Sequence, residues 1–189
     1  MKKHISVLIL LCLLLTGCGS KQHSAQWPED WVEIAPFLAV EPVEDFTFAE
    51  RADTFGMGGV YYATWTNGDK RDYVNADGEA TYIFNSQIYV VAQEFRTEDE
   101  ANKALAQWMA REKQNYQVYA EFGIVVSDRE YTFLMMESGS ETNPYGFGCA
   151  AFTIQGTNAI CVELVCSDTF TADTQAVLEM FLKSLHFAE

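Results

Sequence analysis

The chain reads as an α+β domain in which helices flank an antiparallel sheet, in the order strands, helix, strands, helix. Two stretches, residues 43–95 and 117–166, carry an apolar period near two and are rich in Val, Ile, Tyr, Phe and Thr; such residues suit a pleated, half-buried surface. Each stretch is followed by one in which the period lengthens to that of a helix. Runs of strands separated by helices predict an antiparallel sheet with helices on its faces.

Taken in order, Trp27-Pro28-Glu29-Asp30-Trp31 puts a proline and two acids where a short helix begins, and Pro36 ends it. Trp27 and Trp31 then pack this segment onto the core. Strands follow at Val43–Glu50, Gly59–Thr66, Glu79–Phe84 and Gln87–Phe95, as a meander punctuated by Asn67-Gly68-Asp69, Ala76-Asp77-Gly78 and Asn85-Ser86. Within the second strand Tyr61, Ala63 and Trp65 face one way, and Val60, Tyr62 and Thr64 the other. The Tyr61 row meets either a helix or solvent, and burial is favoured. Where exposed, Tyr61 and Trp65 are candidate ligand contacts.

Thr97-Glu98-Asp99-Glu100 is a capping box with its acids at the positive end of a helix, and Arg111 and Lys113 stand toward the negative end. Ala101, Ala104, Leu105, Trp108 and Met109 make its apolar stripe. Strands resume at Gln117–Ser127, Glu130–Glu137, Gly148–Gln155 and Ala159–Cys166, with turns at Asp128-Arg129 and Gly156-Thr157-Asn158. The polar interruption at residues 138–146 is the candidate functional loop, with Tyr145 as its ligand contact. Thr171 caps a last helix running to about Ser184, in which Thr174, Val177, Leu178, Phe181 and Leu185 face inward and Met180 and Leu182 widen the stripe.

Composition limits the partners. The 189 residues hold 12 basic against 27 acidic side chains, a formal charge of −15. Without the leader, and so without Lys2 and Lys3, the charge becomes −17. Such a polyanion repels phosphate backbones and anionic headgroups, which excludes nucleic acid as a partner. About 160 ordered residues suffice for one core, so residues 27–189 are expected to form a single domain.

Lys2 and Lys3 precede an apolar run, Ile5–Leu15, too short to span a bilayer as a helix, and Leu15-Thr16-Gly17-Cys18 closes it. This sequence resembles the lipobox of bacterial lipoproteins. The resemblance implies that residues 1–17 are a cleaved signal peptide and that Cys18 receives a diacylglyceryl group and becomes the mature N-terminus. Residues 18–26 are small and polar and read as a flexible tether. The expected localisation is extracytoplasmic, lipid-anchored to the membrane at the cell surface or in the periplasm.

Of the remaining cysteines, Cys161 and Cys166 lie on opposite faces of one strand, roughly 16 Å apart, too far for a disulfide. Cys149 with Cys166 is the pair that geometry allows. A Thr157-Asn158 turn sets these two opposite one another; a Gly156-Thr157 turn sets Cys149 against Leu164, with Cys166 diagonal on the same face. Plain buried thiols are the other outcome. No G-x-S-x-G, H-E-x-x-H, C-x-x-C or glycine-rich phosphate motif is present, and His186 is the one histidine of the domain. Read in the EF-hand register, Asn75–Glu79 puts Tyr73 and Phe84 where acids are required, so it reads as a turn. No metal, cofactor or catalytic group is expected.

The order of elements from about residue 40, ending in a hairpin, a helix and Lys183-Ser184-Leu185-His186-Phe187, is similar to that of PsbP-like and Mog-like α/β/α proteins. The resemblance implies helices on an antiparallel sheet and a role in binding or assembly; it brings no residue roles with it. The expected function is a non-catalytic module binding a small ligand or an envelope protein. An extracytoplasmic hydrolase using acidic residues or a Cys149–His186 dyad, and a structural envelope component, are the alternatives.

Overall fold

The structure, a computed structural model, describes residues 26–53, 59–75, 77–139 and 143–188. Cys18, the leader and nearly all of the tether lie outside the described residues. The strands are β1 (Val32–Ala35), β2 (Leu38–Val40), β3 (Thr47–Asp53), β4 (Val60–Asn67), β5 (Arg71–Val74), β6 (Ala80–Ile83) and β7 (Ser86–Glu94) before the first helix, α1 (Glu98–Asn115). After it come β8 (Gln117–Val126), β9 (Arg129–Glu137), β10 (Phe147–Gln155), β11 (Asn158–Cys166), α2 (Thr174–Lys183) and β12 (Leu185–Phe187).

Seven strands form one antiparallel sheet in the order β3-β4-β7-β11-β10-β9-β8. Strand β11 stands fourth, at its centre. The stretch from β3 to β7 is not a simple meander, because β5 and β6 leave it as a separate hairpin and β7 returns beside β4. Asn75 builds the tip of that hairpin as an ordinary turn, its Oδ1 accepting from the amides of Asp77 and Glu79 at 3.1 and 2.8 Å.

The two faces of the sheet are covered differently. One face is closed by α2 together with the three-stranded sheet β1-β2-β12, around Val90, Phe133, Val162, Leu164, Leu178 and Phe181. Trp65 belongs to this core, 3% exposed and edge-on to Phe181 with centroids 5.1 Å apart. Edge-to-face aromatic pairs add about 0.5–1.5 kcal/mol beyond area burial. The opposite face receives α1, whose Leu105, Trp108 and Met109 settle on Leu134, Met136, Ala150, Phe152 and Cys161. The domain is therefore a sheet with helices, more β-rich than the order of elements implied.

Several expectations need correction. The segment from Trp27 is a turn leading into β1, not a helix; Val32, Ile34 and Leu38 are worth more as strand residues in the second sheet, where Ile34 and Leu38 are buried. Capping of α2 falls to Asp173, whose Oδ1 accepts from the amides of Gln175 and Ala176 at 3.0 and 3.2 Å, rather than to Thr171. Met180 is exposed on α2, while Leu182 is buried. Val126 pairs with Arg129, so Ser127 and Asp128 make the hairpin turn, both with positive φ. The capping box of α1 is present in shifted form: Thr97 Oγ1 accepts from the Glu100 amide at 3.2 Å, while the Glu100 carboxylate accepts from the Arg96 amide at 3.2 Å.

Candidate functional site

The side chains expected to meet a ligand do not come together. Trp65 is core, and Tyr61, half-buried on the same face, stands edge-on to Phe37 at 5.9 Å. Tyr145 lies on the loop after β9, its hydroxyl accepting from the Phe84 amide at 3.2 Å and its own amide donating to Asn143 Oδ1 at 3.0 Å. The middle of that loop, residues 140–142, lies outside the described residues.

Cys149, Cys161 and Cys166 are free, buried thiols, so no disulfide joins Cys149 to Cys166 here. The register is the one set by a Gly156-Thr157 turn, with Cys149 opposite Leu164 and Phe147 opposite Cys166. Cys149 donates to the Thr174 carbonyl at 3.4 Å. Burial pushes the thiols of Cys149 and Cys161 well up and that of Cys166 up to about 12, which leaves them poor nucleophiles. His186 stacks on Trp31 at 3.9 Å, and its Nε2 lies 3.2 Å from Glu41 Oε2 without the alignment of a hydrogen bond. With Cys149 held under the start of α2 and His186 engaged by Trp31 and Glu41, the structure provides no dyad between them.

The feature with chemistry lies on the α1 face. Strand β11 runs Ala-Ile-Cys-Val-Glu-Leu-Val-Cys from residue 159, and Glu163 interrupts that apolar run at the centre of the sheet. Opposite it stand Tyr89 on β7 and Ala150 on β10. Ala150 contributes a single methyl group, which leaves room for the carboxyl. Next to Ala150, a Cβ at Gly148 would sit 2.3 Å from the Leu164 carbonyl oxygen, so glycine lets β10 lie against β11 at this point.

Helix α1 brings the second acid. The stripe Ala101, Leu105, Trp108 continues by one helical step to Glu112, which is 5% exposed. Glu112 is held by its neighbour Arg111, whose guanidinium nitrogens approach Glu112 Oε1 at 3.3 and 3.4 Å. Just past the helix, Tyr116 donates its hydroxyl to Glu163 and accepts from Asn143. Tyr62 on β4 stacks on Tyr89, with centroids 6.0 Å apart.

These groups line two adjoining cavities that share Arg111, Glu112 and Glu163. The more enclosed, about 220 Å³, has Tyr89, Val91 and Trp108 as walls. The more open, about 580 Å³, extends to Tyr116, Ser138 and Asn143. A larger concavity of about 640 Å³ lies toward the other end of α1, with Glu130 as its sole carboxylate beside Asn102, Tyr131, Thr132 and Thr153. Size favours that concavity, and chemistry favours the groove at Glu163.

Burial, reinforced by the charge of Glu112, raises the Glu163 carboxyl to about 7, against the partial opposition of Arg111 and the Tyr116 hydrogen bond. Tyr116 is itself pushed up to about 12 by burial and then by Glu163. Tyr89 is raised beyond that, again by burial first. The groove therefore holds an acid able to be neutral or charged near neutral pH, beside Glu112 with Arg111 against it.

No protein-family model matches this chain, and no curated protein matches it in sequence. The fold is similar to a crystal structure from Bacteroides thetaiotaomicron VPI-5482, with TM-score 0.48 and 12% identity over 83% of this chain and 48% of that one. This chain thus spans about half the length of that protein. It is also similar to the solution structure of CyanoP, the cyanobacterial PsbP, from Synechocystis sp. PCC 6803, with TM-score 0.40 and 9% identity over 78% of this chain and 95% of that one. For the PsbP-like part of the resemblance this is a weak likeness of arrangement, and no residue role or activity comes with it.

Because Glu163 holds its proton more tightly in the folded chain (to about 7) than its ordinary 4.5, its contribution to stability is complete below pH 4.5 and is lost as pH rises through 7. The Glu163→Gln variant removes that loss. Between about pH 5 and pH 8.5 it is expected to gain about 2 kcal/mol relative to the parent in urea unfolding, and parallel pH profiles would contradict the assignment.

Proposed function

We propose that this chain is a lipid-anchored, extracytoplasmic binding module whose ligand enters the groove between α1 and the centre of the sheet. The observation that carries the binding role is Glu163. An acid in the middle of an apolar central strand costs stability, and such groups concentrate where ligands or reactions need them. Support for the anchor comes from the ordered series of Lys2-Lys3, the short apolar run and Leu15-Thr16-Gly17-Cys18. Among the described residues no helix is long and apolar enough to cross a membrane.

The hydrolytic alternative would use the same two carboxyls. It is less favoured because Glu112 is closed by Arg111 and Glu163 is tied to Tyr116, an arrangement that sets charge and shape rather than aiming an acid at a bond.

Two measurements test the proposal. Thermal-shift screening against sugars, peptides, lipids, haem and organic cations is expected to give a rise of about 5–10 °C with one class, as a ligand near a hundred times its dissociation constant adds roughly 2.7 kcal/mol. The rise should vanish on Trp108→Leu; a flat screen favours a protein partner instead. Cys18→Ser is expected to move the protein from the membrane to the soluble fraction, and unchanged membrane association would refute lipidation at that residue.

A further inference from the structure

The groove has aromatic faces on two sides: Trp108 from α1, and Tyr89, backed by Tyr62, from the sheet. Its floor is the Glu163 carboxyl. Arg111 is the basic residue that acts on this carboxyl among the described residues, and its guanidinium is turned onto Glu112. Glu163, which has the Tyr116 hydroxyl beside it but no ion pair of its own, shares this cavity with the two aromatic walls. Aromatic faces and a carboxylate attract the same partner, a positive charge of low hydration. The enclosed cavity, about 220 Å³, lies below the ~300–1,000 Å³ usual for drug-sized ligands, which limits the guest to a few carbon atoms. A chain of formal charge −15 concentrates cations around itself.

We propose that the groove binds a small organic cation, an alkylammonium group seated between Trp108 and Tyr89 with its charge on Glu163. The proposal rests on the binding reading above and names its ligand.

Ionisation links the ligand to pH. The groups facing Glu163 are Arg111 and Glu112 on α1, Tyr116 beyond its end, Tyr89 on β7 and Cys161 on its own strand. Of these, the phenols of Tyr89 and Tyr116 and the Cys161 thiol are all held neutral well above neutrality. Glu163 itself, raised to about 7, is the group that changes charge as a cation arrives. Cation affinity therefore rises with pH through that value.

The test is calorimetric titration of the purified full-length protein with choline, with 1,4-diaminobutane, and with 3,3-dimethylbutan-1-ol, the neutral carbon isostere of choline. At least one cation is expected to bind about ten-fold or more tightly than the alcohol, with affinity rising about thirty-fold from pH 5.5 to pH 8. Glu163→Gln should abolish both the preference and the pH dependence, and its unfolding curve shows that it is folded. Equal binding of alcohol and cation, a preference that survives Glu163→Gln, or silence of both cations at about 10 mM overturns the proposal. A neutral ligand that binds in a Trp108-dependent way while the cations are silent overturns the cation alone and leaves the binding reading standing. A screen without any Trp108-dependent ligand overturns both.

Discussion

Strand β11 sits fourth among seven, and neither of its faces can be left to water. That constraint organises the molecule. Residues 160, 162, 164 and 166 enter the large core under α2 and the β1-β2-β12 sheet, so the chain must supply both before that face is closed. Leu185 at the start of β12 pairs with Val40 of β2, which ties the last described strand to the first part of the domain. Cys161 enters the other core under α1. Glu163 shares that second face and is the point where coverage is incomplete: α1 reaches it with Glu112 and Arg111 rather than with another apolar side chain.

The incompleteness is costly and local. A half-buried carboxyl loses hydration that one tyrosine hydrogen bond does not replace, so it takes a proton more readily than a surface acid does. An apolar residue at 163 would satisfy the sheet better, with Ala150 beside it to accept the bulk. Local conflict of this kind, in a strand otherwise consistent with its place, is the basis on which the binding role is proposed. Around it the rest is conventional: buried inert thiols, a capped helix and a hairpin tip closed by Asn75.

Much of the fold was legible because its signals are local. Thr97 and Glu100 announced α1, and the alternating runs of β8 to β11 gave four strands within about two residues of their observed ends. Short elements were not legible: β1, β2 and β12 are three or four residues long and owe their state to one another, across more than a hundred residues of chain. Trp27-Pro28 carried a true start signal for a helix, but the pairing available to residues 32–40 outweighed it. The groove at Glu163 was hidden for a related reason. Tyr61 and Trp65 lie on the opposite face of β4 from it, whereas Tyr62, one residue away, backs the groove. Two signals were present in the sequence: a glutamate inside the apolar run 159–166, and a glutamate one turn beyond Trp108 on the stripe of α1. What the sequence could not give was β11's central position, which turns the first glutamate from an edge residue into one half-buried under α1.

The Glu163 carboxyl, half-buried on the α1 face of the central strand, is raised toward neutrality by its surroundings. Carbon-13 NMR of the protein labelled at glutamate side-chain carboxyls, with the resonance assigned by its loss in Glu163→Gln, reads that directly. A midpoint near 7 is the result this account requires. A midpoint near 4.5, that of an ordinary glutamate, would contradict it and remove the physical basis for a site in the groove.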